Sequence, residues 1–228
     1  MVHRLVRGLR GAVKNLLQQR QCRPGNYFLR TSTRNYVPEM RKSAFEGNIL
    51  RLIRNEIQYE LDHSPQFEPI PEFNSFKVDE RPGEQWIQLT RKFGENEDIK
   101  IEVTMFDGSL PIKKTDDTDD VKLHITLIID VIKGEDKEIL EFVCSAWPDS
   151  IEIRKVFTRG HGQLKDEPYV GPEFKELDDE LQDALYDFLE ARNIDDKLAE
   201  FLHQYMRFKD KNEYLRWMEN VKSFIQKK

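Results

Sequence analysis

Between Phe76 and Thr158 the apolar residues recur at every second position, and on either side of that stretch they recur at every third or fourth. In DIKIEVTMF, Ile99, Ile101 and Val103 alternate with Lys100, Glu102 and Thr104. In VKLHITLIIDVI, Leu123, Ile125, Leu127 and Ile129 alternate with Lys122, His124, Thr126 and the less polar Ile128. A period of two marks strands with one face in a core. FKVDE, EQWIQLTRKF, EILEFVCSAW and SIEIRKVFT read as strands as well, joined by Pro82-Gly83, GENE, KGED and WPDS, which carry turn chemistry. Short joints between consecutive strands predict an antiparallel meander of about six or seven strands.

Ahead of the meander, SAFEGNILRLIRNEIQYELDH sets Phe45, Ile49, Leu52, Ile53, Ile57 and Leu61 on one side of a helix, with Ser43 as cap and a stop before Ser64-Pro65. SPQFEPIPEF, with three prolines in ten residues, is a connector. Behind the meander and the loop GHGQLKDEPYVGPEF, helical spacing returns. Leu177, Leu181, Ala184, Leu185, Phe188 and Leu189 form one face up to ARN; Asn193 is a break, and Asp195 or Asp196 caps a helix bearing Leu198, Phe201, Leu202, Tyr205 and Met206. A final helix presents Tyr214, Leu215, Trp217, Met218, Val221, Phe224 and Ile225. The class is α+β. The terminal stripes are core or subunit interface, and they hold more large side chains than one small sheet can hide. Tyr214, Trp217, Met218, Val221 and Phe224 are therefore the candidate oligomer interface.

Charge divides the chain in a way that its mean conceals. The 228 residues carry 36 Lys and Arg against 42 Asp and Glu, a net of −6. Residues 1–36 hold eight basic residues and no acid, which leaves 28 basic and 42 acidic residues, or −14, in the remainder. Within the basic segment, Leu5, Val6, Leu9, Val13, Leu16 and Leu17 oppose Arg4, Arg7, Arg10 and Lys14 on an amphipathic helix. That composition suits a mitochondrial presequence; a retained basic arm for nucleic acid is the competing reading. Arg34 stands two residues ahead of Tyr36, which places the mature start near Val37. The expected organisation is a presequence at 1–36, a linker at 37–42 and a single acidic domain at 43–228. No run approaches the ~20 apolar residues that span a bilayer, so no transmembrane segment is expected.

Little else carries chemistry. Cys22 lies in the basic segment and Cys144 in the apolar EILEFVCSA, where a buried small hydrophobe is expected. No glycine-rich loop joins a strand to a helix, so nucleotide sites of the P-loop and Rossmann kinds lack support. TDDTDD has the acidity of a calcium loop but not its spacing: counted from Asp116, the sixth position is Val121 rather than Gly and the twelfth is Leu127 rather than Glu. None of His3, His63, His124, His161 and His203 stands beside a Ser or Cys in a nucleophile motif; His161, between glycines in RGHGQ, has the setting most typical of a site. No catalytic residue, metal ligand or cofactor is expected. The alternative is a weak divalent-cation binder or an unrecognised hydrolase.

LQDALYDFLEARNID, the closing EYLRWMENVKSFI and the early LRLIRNEIQYELDH, with strands between, resemble the mitochondrial acidic matrix protein family. These are the mitochondrial glycoproteins, of the complement component 1 Q subcomponent-binding type. The resemblance covers roughly residues 43–227. It implies a strongly twisted antiparallel sheet of seven strands, one N-terminal and two or more C-terminal helices, and a ring-shaped homotrimer with an acidic surface and no catalytic site. It implies a matrix adaptor tied to oxidative phosphorylation, mitochondrial ribosomes and translation, or RNA processing. One departure is plain: the loop DGSLPIKKTDDTDDV is short and diluted by Lys113 and Lys114, so ligands tied to longer acidic insertions are not carried over. Three chains at −14 would total −42. Such a field attracts basic proteins over a Debye length of about 8 Å and repels phosphates, so direct nucleic-acid binding is not expected. The candidate partner-binding residues are Asp116, Asp117, Asp119 and Asp120 in the loop, and Asp178, Asp179, Glu180 and Asp183 entering a helix, where acids also suit the helix start by themselves.

Overall fold

The computed structural model describes residues 36–63, 72–113, 119–134, 138–160 and 169–227. The chain divides into two compact units, Met1–Gly47 and Asn48–Lys228. The basic segment and His161 lie outside the described residues.

Helix α1 spans Tyr36–Asp62, beginning ahead of the expected cap at Ser43. Pro38 falls in its first turn, where an absent amide costs no intrahelical bond and the fixed φ favours the helix. Seven strands follow: β1 Glu72–Phe73, β2 Phe76–Glu80, β3 Trp86–Phe93, β4 Glu97–Lys113, β5 Asp119–Lys133, β6 Glu138–Trp147 and β7 Ser150–Arg159. Each pairs antiparallel with its neighbour in sequence, in the order β1 to β7. About six or seven were expected; β1, two residues long, is too short to alternate. Gly94 (φ 63°) and Gly134 (φ 69°) supply the left-handed residue that the GENE and KGED turns require.

The long pair β4 and β5 corrects one expectation. Asp107-Gly108 was expected to begin a loop, yet β4 runs on to Lys113. Asp119 and Asp120 accordingly lie in β5, opposite Lys113 and Ile112, rather than in a loop. The register shifts between Val103 and Phe106 and again between Phe106 and Gly108, so a bulge absorbs what looked like a turn. A Cβ on Gly108 would come within 3.2 Å of Nδ1 of His124, its cross-strand partner. Glycine is what lets the imidazole lie over the strand.

Alternation divides the sheet into two faces. Ile87, Leu89, Ile101, Val103, Leu127, Ile129, Phe142 and Ile153 are fully buried on the inner face. They pack in one core with Leu189 of α2 (Asp179–Glu190) and with Leu198, Leu202, Tyr205 and Met206 of α3 (Asp196–Gln226). Sealing a leucine there contributes roughly 1.5–3 kcal/mol. Asn193 takes φ 59° between the helices, and Asp195 caps α3 by accepting the Leu198 amide at 3.0 Å. The two C-terminal apolar stripes, expected on separate helices, lie on the single 31-residue α3, because RFKDKNE between them contains no Gly or Pro.

Both edges of the sheet meet the C-terminal helices through side chains. At β7 the Ile151 amide donates to Oδ1 of Asp196 and the Ile153 amide to the Tyr186 hydroxyl, each at 3.2 Å, so side chains satisfy donors that could otherwise recruit a strand. At the other edge Phe73 stacks on Phe201 with centroids 4.3 Å apart. Within the larger unit α1 leans on α3 through Glu60 and Lys211, 3.4 Å apart. Ile53 and Ile57 are half-buried, but Ile49, Leu52 and Leu61 are exposed, as is Phe45 in the first unit. The expected apolar face of α1 is thus only partly covered.

Candidate functional site

The acidic residues singled out by the sequence fall on two elements. Asp116 and Asp117 lie outside the described residues, and Asp119 and Asp120 open β5. Asp178 is the N-cap of α2, its carboxylate accepting the Glu180 amide at 3.0 Å. That capping role accounts for Asp178 without a partner. Asp179, Glu180 and Asp183 are exposed, and Asp187 and Glu190 continue the same acidic side of the helix. Next to it, Tyr186, Leu189, Glu190, Ile194, Asp195, Asp196, Lys197 and Ile151 line an open depression of about 350 Å³.

The candidate interface residues are divided. Trp217 and Phe224 are 58% and 77% exposed, and Val221 is half-buried. Tyr214 stacks on Trp217 at 6.0 Å, while burial and the Glu56 and Glu60 carboxylates of α1 push its hydroxyl pKa up. Met218 departs from the set. It is 2% exposed within its own chain and offers nothing to a neighbour.

Alternation and helical spacing gave no sign of the charged clusters that hold the elements in place. Arg192 grips Glu97 with two hydrogen bonds of 3.0 Å, lies 3.5 Å over the Phe188 ring, and shares Glu97 with Lys133. Burial pushes the Glu97 pKa up, but these cations and their hydrogen bonds outweigh it, and it lies below the ordinary carboxylate range. Lys209 is fully buried among Glu80 (3.3 Å), Glu213 (3.4 Å) and the Arg81 carbonyl (3.3 Å), and Tyr205 donates to the same Glu80. Glu213 also accepts the Gly83 amide, tying the β2–β3 turn to α3. The only signal of Lys209 in the sequence is its place one turn after Tyr205 on an otherwise apolar stripe.

Among the described residues, His124 and His203 do not form a nucleophile site. His124 Nδ1 lies 2.7 Å from Asp107, but the Thr104 hydroxyl donates to that carboxylate at 2.9 Å rather than facing the imidazole. His203 is buried, with Nε2 3.1 Å from the Ala146 carbonyl. Burial pushes the Cys144 thiol up to about 12, so it is no thiolate at neutral pH. Among the described residues, no three His, Cys, Asp or Glu side chains converge as a metal set.

Residues 53–225 match the sequence profile of the mitochondrial glycoprotein family. The chain belongs to that family. An uncharacterised mitochondrial protein of Arabidopsis thaliana is 32% identical over 201 residues, covering 84% of this chain and 80% of the relative. Two solved structures share the fold. One is the p22 protein of Trypanosoma brucei (TM-score 0.66, 20% identity, 80% of this chain and all of that one). The other is a Leishmania major protein described as a homologue of human p32 (0.63, 22%, 79% and 99%). The expected family and the seven-stranded sheet with one N-terminal and two C-terminal helices are therefore borne out. Family and relative support a mitochondrial location. Among the described residues no helix is long and apolar enough to cross a membrane.

Proposed function

We propose that this member of the mitochondrial glycoprotein family is a non-enzymatic, chaperone-like acidic adaptor of the mitochondrial matrix that assembles as a ring-shaped homotrimer and holds basic partner proteins. Its task is support of oxidative phosphorylation, mitochondrial translation or RNA processing, with ribosomal or RNA-processing proteins among the partners. The observation that carries the reading is the exposed acidic side of α2, from Asp179 to Glu190, in a chain at −14 beyond residue 36. Basic proteins are drawn to such a surface and phosphates are not. The apolar side chains left uncovered on α1 and the end of α3 support self-association.

The deciding experiment is capture on the immobilised protein from a matrix extract at low and high salt. A defined set of basic proteins released by salt is expected; an unselective or empty eluate contradicts the reading. A fluorescent fusion of residues 1–40 should enter mitochondria, and Arg4, Arg7 and Arg10→Glu should stop it. A cytosolic location of the unaltered fusion removes the presequence.

A further inference from the structure

The outer face of the sheet, opposite the helices, carries a second apolar cluster. Ile128 pairs with Val143 and Ile132 with Ile139 across β5 and β6, and Phe157 on β7 lies beside Glu141. Ile139 is buried although it is not among the residues of the inner core. At the centre of this patch two carboxylates, Asp130 and Glu141, sit directly opposite each other, an arrangement that like charges ordinarily disfavour.

A single cation serves both. Arg159 reaches Asp130 Oδ2 at 2.8 Å and also pairs with Glu141. Lys100, the cross-strand neighbour of Asp130 on β4, is ion-paired with Glu102 instead. Asp130 is 6% exposed, and among the described residues its Oδ1 has no hydrogen-bond partner. A buried carboxylate oxygen without a donor is costly, and it marks where a donor is missing. Among the described residues the cluster is one positive charge short. Contact of this patch with the same patch of a second copy would double that shortage; contact with another face of a copy, as a closed ring requires, is an outcome of the test below.

We propose that this patch docks an extended segment of a basic protein. One Lys or Arg of the segment completes the Asp130–Glu141–Arg159 cluster, and its alternate apolar residues lie on Ile128, Ile132 and Phe157. The inference rests on the adaptor reading and gives it a specific surface. Arg159 is the outermost member, its side chain 40% exposed. By swinging wholly onto Glu141 it leaves Asp130 to the incoming cation. The apolar stem of a lysine or arginine suits the isoleucine surround.

The test uses the full chain and two synthetic probes of equal charge, a Val-Ser-Lys-Ser repeat, whose Val and Lys alternate along one face of the extended chain, and an oligolysine, with binding followed by fluorescence anisotropy. Glu141→Gln and Phe157→Thr should each weaken the alternating peptide about tenfold, and Phe157→Thr should leave oligolysine within about twofold, since only the alternating peptide uses the apolar surround. In the wild-type chain, amide shifts induced by the alternating peptide should concentrate on β5 to β7, a readout that needs no variant. Unchanged affinity in both variants, or shifts confined to α2, overturns the site while leaving the adaptor reading intact. Failure of both probes to bind the wild type overturns both. A fall in oligomer mass for Phe157→Thr assigns the patch to contact between copies and likewise overturns the proposal.

Discussion

The two halves of α3 have similar composition and opposite surroundings. From Asp196 to Lys209 eight side chains are buried, Leu198, Ala199, Phe201, Leu202, His203, Tyr205, Met206 and Lys209; from Asp210 to Gln226 Met218 is the single buried one. Tyr214, Leu215, Trp217, Val221, Phe224 and Ile225 are as apolar as the first set. The difference is what lies beneath them. The first half covers the sheet and the second runs past it beside α1, so an apolar stripe marks a face that needs covering without saying what covers it.

The largest effect belongs to the first half. Lys209→Ala, which strips the cation from Glu80 and Glu213, should cost about 3–5 kcal/mol in denaturant unfolding, because one partner of a buried cluster leaves the others uncompensated. The exposed pair Lys222–Glu219 should tolerate Lys222→Ala within about 0.5 kcal/mol. Equal losses at both positions would erase the contrast.

Trp217→Asp tests the second half. The unfolding free energy of the dissociated chain should change by less than about 1 kcal/mol, while light scattering should show the assembly reduced to single chains. A wild-type mature chain that is already a monomer at micromolar concentration would remove the homotrimer.

A subtler distinction is pH. Burial, aided by Arg207 on α3 and His124 on β5, sets the His203 pKa below the ordinary histidine value, against the opposing pull of the Ala146 carbonyl and of Asp149 at the β6–β7 turn. The unfolded chain therefore takes up its proton first, and stability should fall as pH drops below about 6.5 toward the lowered folded value. Glu97 and Glu213 have lowered values, so what they contribute persists above the ordinary carboxylate range and is lost only in stronger acid. In thermal melts between neutral pH and pH ~5, His203→Leu should flatten the decline. An unchanged slope would assign it to other groups.

The smallest effect on folding is expected at the β4–β5 tip. Asp116, Asp117, Asp119 and Asp120→Asn should alter stability by no more than about 0.5 kcal/mol per site, yet slow association with basic proteins and reduce its salt response. Retention of the parent's on-rate and salt response would leave the α2 side or the outer sheet face as the docking surface.

The sheet was legible because a buried face imposes a strict two-residue period and a turn imposes glycine; Ile99, Ile101, Gly94 and Gly134 occupy the places those rules require. Where two rules conflict, legibility fails. Gly108 satisfied the turn rule while serving a bulge, and nothing local distinguishes the two, since the deciding contact is His124 sixteen residues away. The same limit hid Arg192 and Lys209, ordinary surface residues by type, whose burial depends on Glu97 and Glu80 from far along the chain. Of the candidate site, the acidity of α2 was legible and the pairing of Asp130 with Glu141 was not, because register is a property of two strands together.

The strictly sequential order of the strands has a consequence for how the chain is made. As it emerges from its N-terminal end, each new strand finds its partner already waiting, and hairpin by hairpin the sheet zips with little loop entropy to overcome. Its inner face, however, stays open until the last fifty or so residues arrive to close it. A chain interrupted near residue 178 would hold the complete ladder with Ile87, Leu127 and Phe142 bare to water, so premature termination yields a sticky product rather than an inert one.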